Sequence, residues 1–241
     1  MLKNFFPNKI LSLNKNFFTI LIIIMISVII VGLINALITS PPDAVQGNSV
    51  RIMYVHVPSS FIAIGCFGFI GIASIATLIF KVKILPLMAK SIAPVGSVFC
   101  LISIVTGSLW GKPTWGIFWV WDARLTSMLI LLIFYLAYIA IWKFIENYEK
   151  ANKTASIVAI IGSLNLPVIK YSVDWWNTLH QPSSITLTSA PTIHYTMLVP
   201  LIIMLLGMII YSLLIFLMKY KTEIIKFKID KKRNYEKLNV F

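Results

Sequence analysis

Ala155-Ser156-Ile157-Val158-Ala159-Ile160-Ile161-Gly162-Ser163-Leu164-Asn165-Leu166-Pro167-Val168-Ile169 is the stretch on which the fold turns, because it decides between five and six membrane crossings. It falls short of the roughly 20 apolar residues that span a bilayer. It also carries Asn165 and Pro167, which suit a kinked or partly re-entrant span. Around it the apolar runs are Phe17–Ile38, Phe61–Phe80, Ser91–Leu109, Leu125–Ile141 and Thr196–Met218, with no Asp, Glu, Lys or Arg inside any of them. Hydrophobic residues make up 59% of the chain, charged ones 12%, and the mean hydropathy is +0.88. A soluble domain of 241 residues has no use for that much apolar surface.

The basic residues settle the count in favour of six. If the fifth run crosses, both termini share a side with Lys3, Lys9, Lys15, Lys81, Lys83, Lys90, Lys143, Lys150, Lys153, Lys219, Lys221, Lys226, Lys228, Lys231, Lys232, Arg233 and Lys237. Only Arg51, Lys112, Arg124 and Lys170, of 21 basic residues in all, then lie opposite. The positive-inside rule puts the crowded side in the cytoplasm. Five spans would lose this sorting. The expectation is an all-α membrane protein, one domain over 1–241, with six transmembrane helices at about 17–38, 59–80, 91–109, 124–143, 155–170 and 193–218 and both termini cytoplasmic.

The first run follows a basic stretch, as a signal sequence does. It is too long for one, and Thr39, Ser40, Pro41 and Pro42 offer no small-x-small cleavage site, so it reads as a retained span. The net charge of +13 reflects the loop asymmetry and attraction of the tail to anionic membrane lipid, and it calls for no nucleic acid.

The three outer loops carry the chemistry. Four of seven tryptophans, Trp110, Trp115, Trp119 and Trp121, precede Asp122 and Arg124 in the second loop. Single interfacial tryptophans usually mark a bilayer belt. A belt would populate both interfaces, whereas here only Trp142 lies on the other side. Rigid indoles clustered together suit a flat aromatic ligand such as a porphyrin. If Pro113 starts a short helix, Trp115, Phe118 and Trp119 share one face of an amphipathic segment, 110–124, lying flat on the outer leaflet. Asp122 is placed to cap the fourth span.

The flanking loops, Thr39–Val57 and Lys170–Ala190, each supply one histidine. His56 is expected just outside a helix whose first turn holds Pro58; His180 follows Trp175, Trp176, Asn177, Thr178 and Leu179. A lone interfacial histidine is ordinarily a hydrogen-bonded polar residue. A pair from two loops meets the need of a low-spin haem for an imidazole on each side. Arg124 or Lys112 would pair with its propionates. His194, just before the sixth span, reads as structural or as a surface residue, and Cys66 and Cys100 as buried thiols within spans. There is no Cys-x-x-Cys-His for covalent haem attachment, and Gly107-Ser108-Leu109-Trp110-Gly111-Lys112-Pro113 lacks the spacing and hydroxyl of a phosphate loop.

Trp110-Gly111-Lys112-Pro113-Thr114-Trp115-Gly116 and Trp119-Val120-Trp121-Asp122-Ala123-Arg124-Leu125-Thr126 resemble the WWD signature of haem-handling membrane proteins, and among them the haem exporter protein C family of the bacterial cytochrome c maturation system. Arg51-Ile52-Met53-Tyr54-Val55-His56-Val57-Pro58 and Trp175-Trp176-Asn177-Thr178-Leu179-His180-Gln181 resemble that family's histidine loops. The resemblance implies a non-enzymatic, six-span protein of the bacterial inner membrane that holds haem b non-covalently at its periplasmic face. His56 and His180 would be the axial ligands, and Trp110, Trp115, Trp119, Trp121, Asp122 and Arg124 would form the cradle. The implied partners are the ATPase and membrane subunits of an ABC transporter, a small single-span membrane subunit, and a periplasmic haem chaperone that receives the haem. Two other classes stand beside it. A redox cytochrome b subunit would usually place its histidines within helices, and a haem-translocating permease would be expected to show polar or ionisable residues at mid-membrane, where the spans offer only the amides Asn35 and Asn165.

Overall fold

The computed structural model describes residues 5–82, 84–181, 184, 185 and 190–238. Lys3 and Lys83, named above, lie outside them, as does part of the Lys170–Ala190 loop. All its long elements are helical: α1 (Phe5–Leu11), α2 (Lys15–Ile34), α3 (Met53–Phe80), α4 (Leu85–Trp115), α5 (Ala123–Phe144), α6 (Tyr148–Ser163), α7 (Asn165–Trp175) and α8 (Tyr195–Leu238). Among the described residues six helical stretches are long and apolar enough to cross a membrane, with α6 and α7 together making the fifth.

That fifth stretch is interrupted next to Asn165 and Pro167. α6 ends at Ser163, α7 restarts at Asn165, and Pro167 sits in the new first turn, where its missing N–H leaves no helical bond unmade. The Asn165 amide is satisfied across the bundle, Nδ2 donating to the Ser127 carbonyl of α5 at 2.8 Å.

α3 is the central helix, packed most extensively on α4 and also on α6 and α8. With α5, which packs on α4 and α6, these helices bury Phe67, Ile70, Leu131, Tyr135, Ala155 and Ala159. Without a hydrophobic drive between helices in lipid, close approach through small residues does the packing. A Cβ on Gly162 would stand 2.7 Å from Phe67 and 2.8 Å from Phe134, so only glycine admits these rings. α2 lies at the edge, held mainly by α8, with its isoleucines facing outward as a lipid-exposed surface does.

Three sequence expectations need correcting. α3 does not start at Pro58: a 3-10 turn over Asn48–Ile52 feeds directly into helix at Met53, so His56 lies inside the helix's first turns. Burial explains this, since Met53 and Tyr54 pack with Val50, Leu201 and Met204, and that contact outweighs the one helical bond Pro58 cannot make. Second, Pro113 does not start a helix. α4 runs unbroken through it to Trp115 and stops at Gly116, whose left-handed φ of 81° and N–H to the Lys112 carbonyl make a glycine C-cap. Third, there is consequently no amphipathic helix over the tryptophan stretch: Trp115 closes α4, while Phe118 and Trp119 lie in the non-helical strand leading to Asp122. Ser108 Oγ, donating to the Phe118 carbonyl at 2.7 Å, ties that strand back onto α4. α4 runs past its apolar run at both ends, and α8 well past its own at the C-terminal end.

Candidate functional site: two imidazoles at one end of the bundle

The loops joining α2 to α3, α4 to α5 and α7 to α8 meet at one end. His56 and His180 are both there, close enough for His56 to sense the charge of His180. His56 Nδ1 stands 3.0 Å from the Ser103 carbonyl and 3.2 Å from Thr106 Oγ1. A carbonyl only accepts, and the Thr106 hydroxyl already donates to the Ile102 carbonyl at 2.7 Å. Nδ1 therefore carries the proton, and the Nε2 lone pair is left for another group.

His180 is arranged in the same way by a different partner. Its Nδ1 lies 3.2 Å from Asp122 Oδ2, and an ionised carboxylate only accepts. Nε2 again carries the free lone pair. Burial pushes the His180 imidazole below its ordinary pKa, Asp122 pulls it back up by hydrogen bond and charge, and Arg124 adds to the lowering. The neutral form is favoured. Asp122 is itself buried and capped in place, its Oδ1 accepting the Leu125 N–H at 2.8 Å at the start of α5, as its sequence position indicates.

Each imidazole has a tryptophan at its edge. Trp110 meets His56 at 5.8 Å between ring centres and 76° between planes, and Trp115 meets His180 at 4.8 Å and 65°. Trp119 and Trp121 touch each other edge to face at 5.5 Å, and Trp121 is 75% exposed. The Trp119 indole N–H is buried with no partner among the described residues. A cavity of about 340 Å³ lined by Val120, Trp121, Asp122, Asn177, Thr178 and Leu179 opens beside them.

The cationic residues divide. Lys112 donates to the Gly116 carbonyl at 2.9 Å and lies over the Phe118 ring, committed to its own loop. Arg124 reaches Ser172 Oγ at 3.3 Å and the Lys170 carbonyl at 3.5 Å, and is near enough to both histidines to act on their charge. His194 is exposed at the start of α8, its Nδ1 bonded locally to Thr196 Oγ1 at 2.8 Å. Cys66 and Cys100 are free and buried.

Sequence reasoning missed the seat of His56. Ser103, Thr106, Gly107 and Trp110 stand at i, i+3, i+4 and i+7 on α4 and form one stripe beneath the ring. A Cβ on Gly107 would lie 2.8 Å from His56 Cε1, so the missing side chain makes room for the imidazole. Chemically, two neutral imidazoles are too few to hold a bare transition metal ion, and no group of three or more His, Cys, Asp or Glu gathers among the described residues. Two are enough for an iron whose remaining positions are filled by a macrocycle.

A family model described as "Heme exporter protein C" matches residues 2–235. The protein so named in Bradyrhizobium diazoefficiens is 36% identical over 220 residues, covering 91% of this chain and 83% of its own. That of Haemophilus influenzae is 42% identical over 196 residues, covering 81% and 80%. A "Putative cytochrome c biosynthesis ccmC-like mitochondrial protein" of Marchantia polymorpha is 40% identical over 193 residues, covering 80% and 82%.

Proposed function

The chain belongs to the haem exporter protein C family, and from that premise we propose that it holds haem b at the periplasmic face of the inner membrane, with His56 and His180 as axial ligands. Its coarse role is that of its family: a non-enzymatic, multi-pass membrane protein of haem export and cytochrome c biogenesis. The finer reading rests on one observation above all. Two histidines, one in the first turns of α3 and one in the α7–α8 loop, come near each other, each with its Nδ1 proton held by a protein acceptor and its Nε2 lone pair free. Ligating histidines are oriented by such partners as a rule.

In this reading haem is cargo. Trp119 and Trp121 supply apolar ring surface for the macrocycle, Trp110 and Trp115 flank the ligands, and Arg124 pairs with a propionate. Exposure of Trp121 leaves the haem edge open to an acceptor. That acceptor is a periplasmic haem chaperone. The ATPase and membrane subunits of an ABC transporter, with a small single-span subunit, complete the assembly, since this chain has no phosphate-binding loop of its own. Both termini are cytoplasmic.

An absorption spectrum of the purified, haem-loaded protein before and after dithionite tests the reading. A low-spin b-type spectrum is expected, and His56→Ala and His180→Ala should each give a five-coordinate or weakly held haem. If both variants kept the parental spectrum, the ligand assignment would be wrong.

A further inference from the structure

We infer that Gln46 is a positioning residue for His56, acting through the indole of Trp110. The inference rests on the assignment of His56 as an axial ligand and extends it to the first outer loop. Trp110 Nε1 donates to Gln46 Oε1 at 2.8 Å, across 64 residues of sequence. The same indole meets the His56 ring edge to face. Trp110 also packs against the buried cluster of Val50, Met53, Tyr54, Leu201 and Met204, so its body is fixed by apolar contact and its polar edge by Gln46 alone.

Gln46 is itself held rigidly. Its N–H donates to Asp43 Oδ1 at 2.8 Å, and its carbonyl accepts from Ser49 Oγ at 2.6 Å. Asp43 and Gly47 close the turn by exchanging backbone hydrogen bonds at 3.1 and 3.0 Å. The Nδ1 bonds to Ser103 and Thr106 fix one point of the His56 ring, but a ring fixed at one point can still turn about it. The α4 backbone at Gly107 blocks that turn on one side. Trp110 blocks it on another, and holds station because Gln46 anchors its N–H. The angle of the imidazole plane at the iron is thus set from the loop, with Trp110 a brace for the ligand more than a shelf for the macrocycle.

Electron paramagnetic resonance of the ferric, haem-loaded, full-length protein tests this, because the spread of the low-spin g values reports the mutual angle of the two axial imidazole planes. Gln46→Leu removes the acceptor; Trp110→Phe keeps an aromatic edge but removes the donor. Each should shift the g values in the same direction, and the double variant should go no further than the singles. Haem affinity should fall roughly two- to tenfold, the range of an edge-to-face ring contact. Gln46→Glu, which restores an acceptor, should bring the g values back toward the parental ones. Gln46→Met serves if the leucine variant is not recovered from membranes. Parental g values in the Leu or Met variant, or a double variant additive with its parents, would overturn the inference. His56→Ala run alongside separates the two levels. If it retained the parental low-spin signal, the ligand assignment would fail; if it lost that signal while Gln46→Leu did not move it, only the role of Gln46 would fall.

Discussion

One carboxylate starts a helix and orients an imidazole: Asp122 receives the Leu125 N–H on Oδ1 and the His180 Nδ1–H on Oδ2. The helix cap and the candidate ligand are therefore a single unit, and substitutions at Asp122 separate its two duties.

Asp122→Asn keeps a good N-cap but removes the charge that fixes the His180 tautomer. The protein should accumulate in membranes at parental levels while haem retention falls ten- to a hundredfold, the usual cost of losing a ligand's outer partner. Asp122→Ala should in addition lower thermal stability by about 1 kcal/mol. Haem per protein after purification, read beside a melting curve, checks both. Equal haem loading in the Asn variant would dismiss the charge as an orienting device.

The pH dependence follows from His180. Its pKa lies below the ordinary 6.5 because burial disfavours the cation. For such a group the neutral form is the one favoured in the fold. The contribution is fully present above 6.5 and is lost as pH falls through the lowered value. Low-spin haem should accordingly be retained across neutral pH and released on the acid side of 6.5. A spectral titration follows it, and a transition centred above neutrality would contradict the burial of this imidazole. His180→Ala should remove that limb of the curve.

Gly107→Ala adds one methyl group where His56 Cε1 would be 2.8 Å away. The ring must move off the Ser103 carbonyl, so the low-spin spectrum should weaken even though alanine favours the helix itself. A parental spectrum with raised stability would mean that the seat is looser than its geometry indicates.

Replacing Trp115 and Trp119 together by Leu should preserve membrane insertion and weaken haem retention and handover. Leucine keeps apolar bulk but loses the ring contacts, about 1 kcal/mol for each. Haem transfer to an acceptor, measured at equal membrane content, decides it. Normal transfer would return these tryptophans to a lipid-anchoring role.

Much of this molecule was legible from residues alone because the bilayer imposes simple rules on length and charge. The six long apolar helices among the described residues, the break near Asn165 and Pro167 and the Asp122 cap all follow from such rules. The stripe of Ser103, Thr106, Gly107 and Trp110 did not, since in a span that is apolar all round the period of 3.6 no longer separates an inner face from a lipid face. Small hydroxyls and a glycine look neutral there. The end of α4 was misread for a local reason: Pro113 is a good helix start, but it is tolerated in a last turn when the stop comes from Gly116. Gln46 gave no signal, because a glutamine in a polar loop has many partners in water and only the fold selects Trp110.

α8 carries one further consequence. At 1.5 Å per residue its 44 residues make a rod about 66 Å long, roughly twice the thickness of a membrane's hydrocarbon. Near one end Leu201 and Met204 press on Met53 and Tyr54, less than a turn from His56. Further along it, Glu223 is paired with Lys90 at 2.7 Å, and Tyr220 and Ile224 pack on Leu87. One unbroken helix thus joins the packing beneath His56 to the lysine-rich segment toward its C-terminal end.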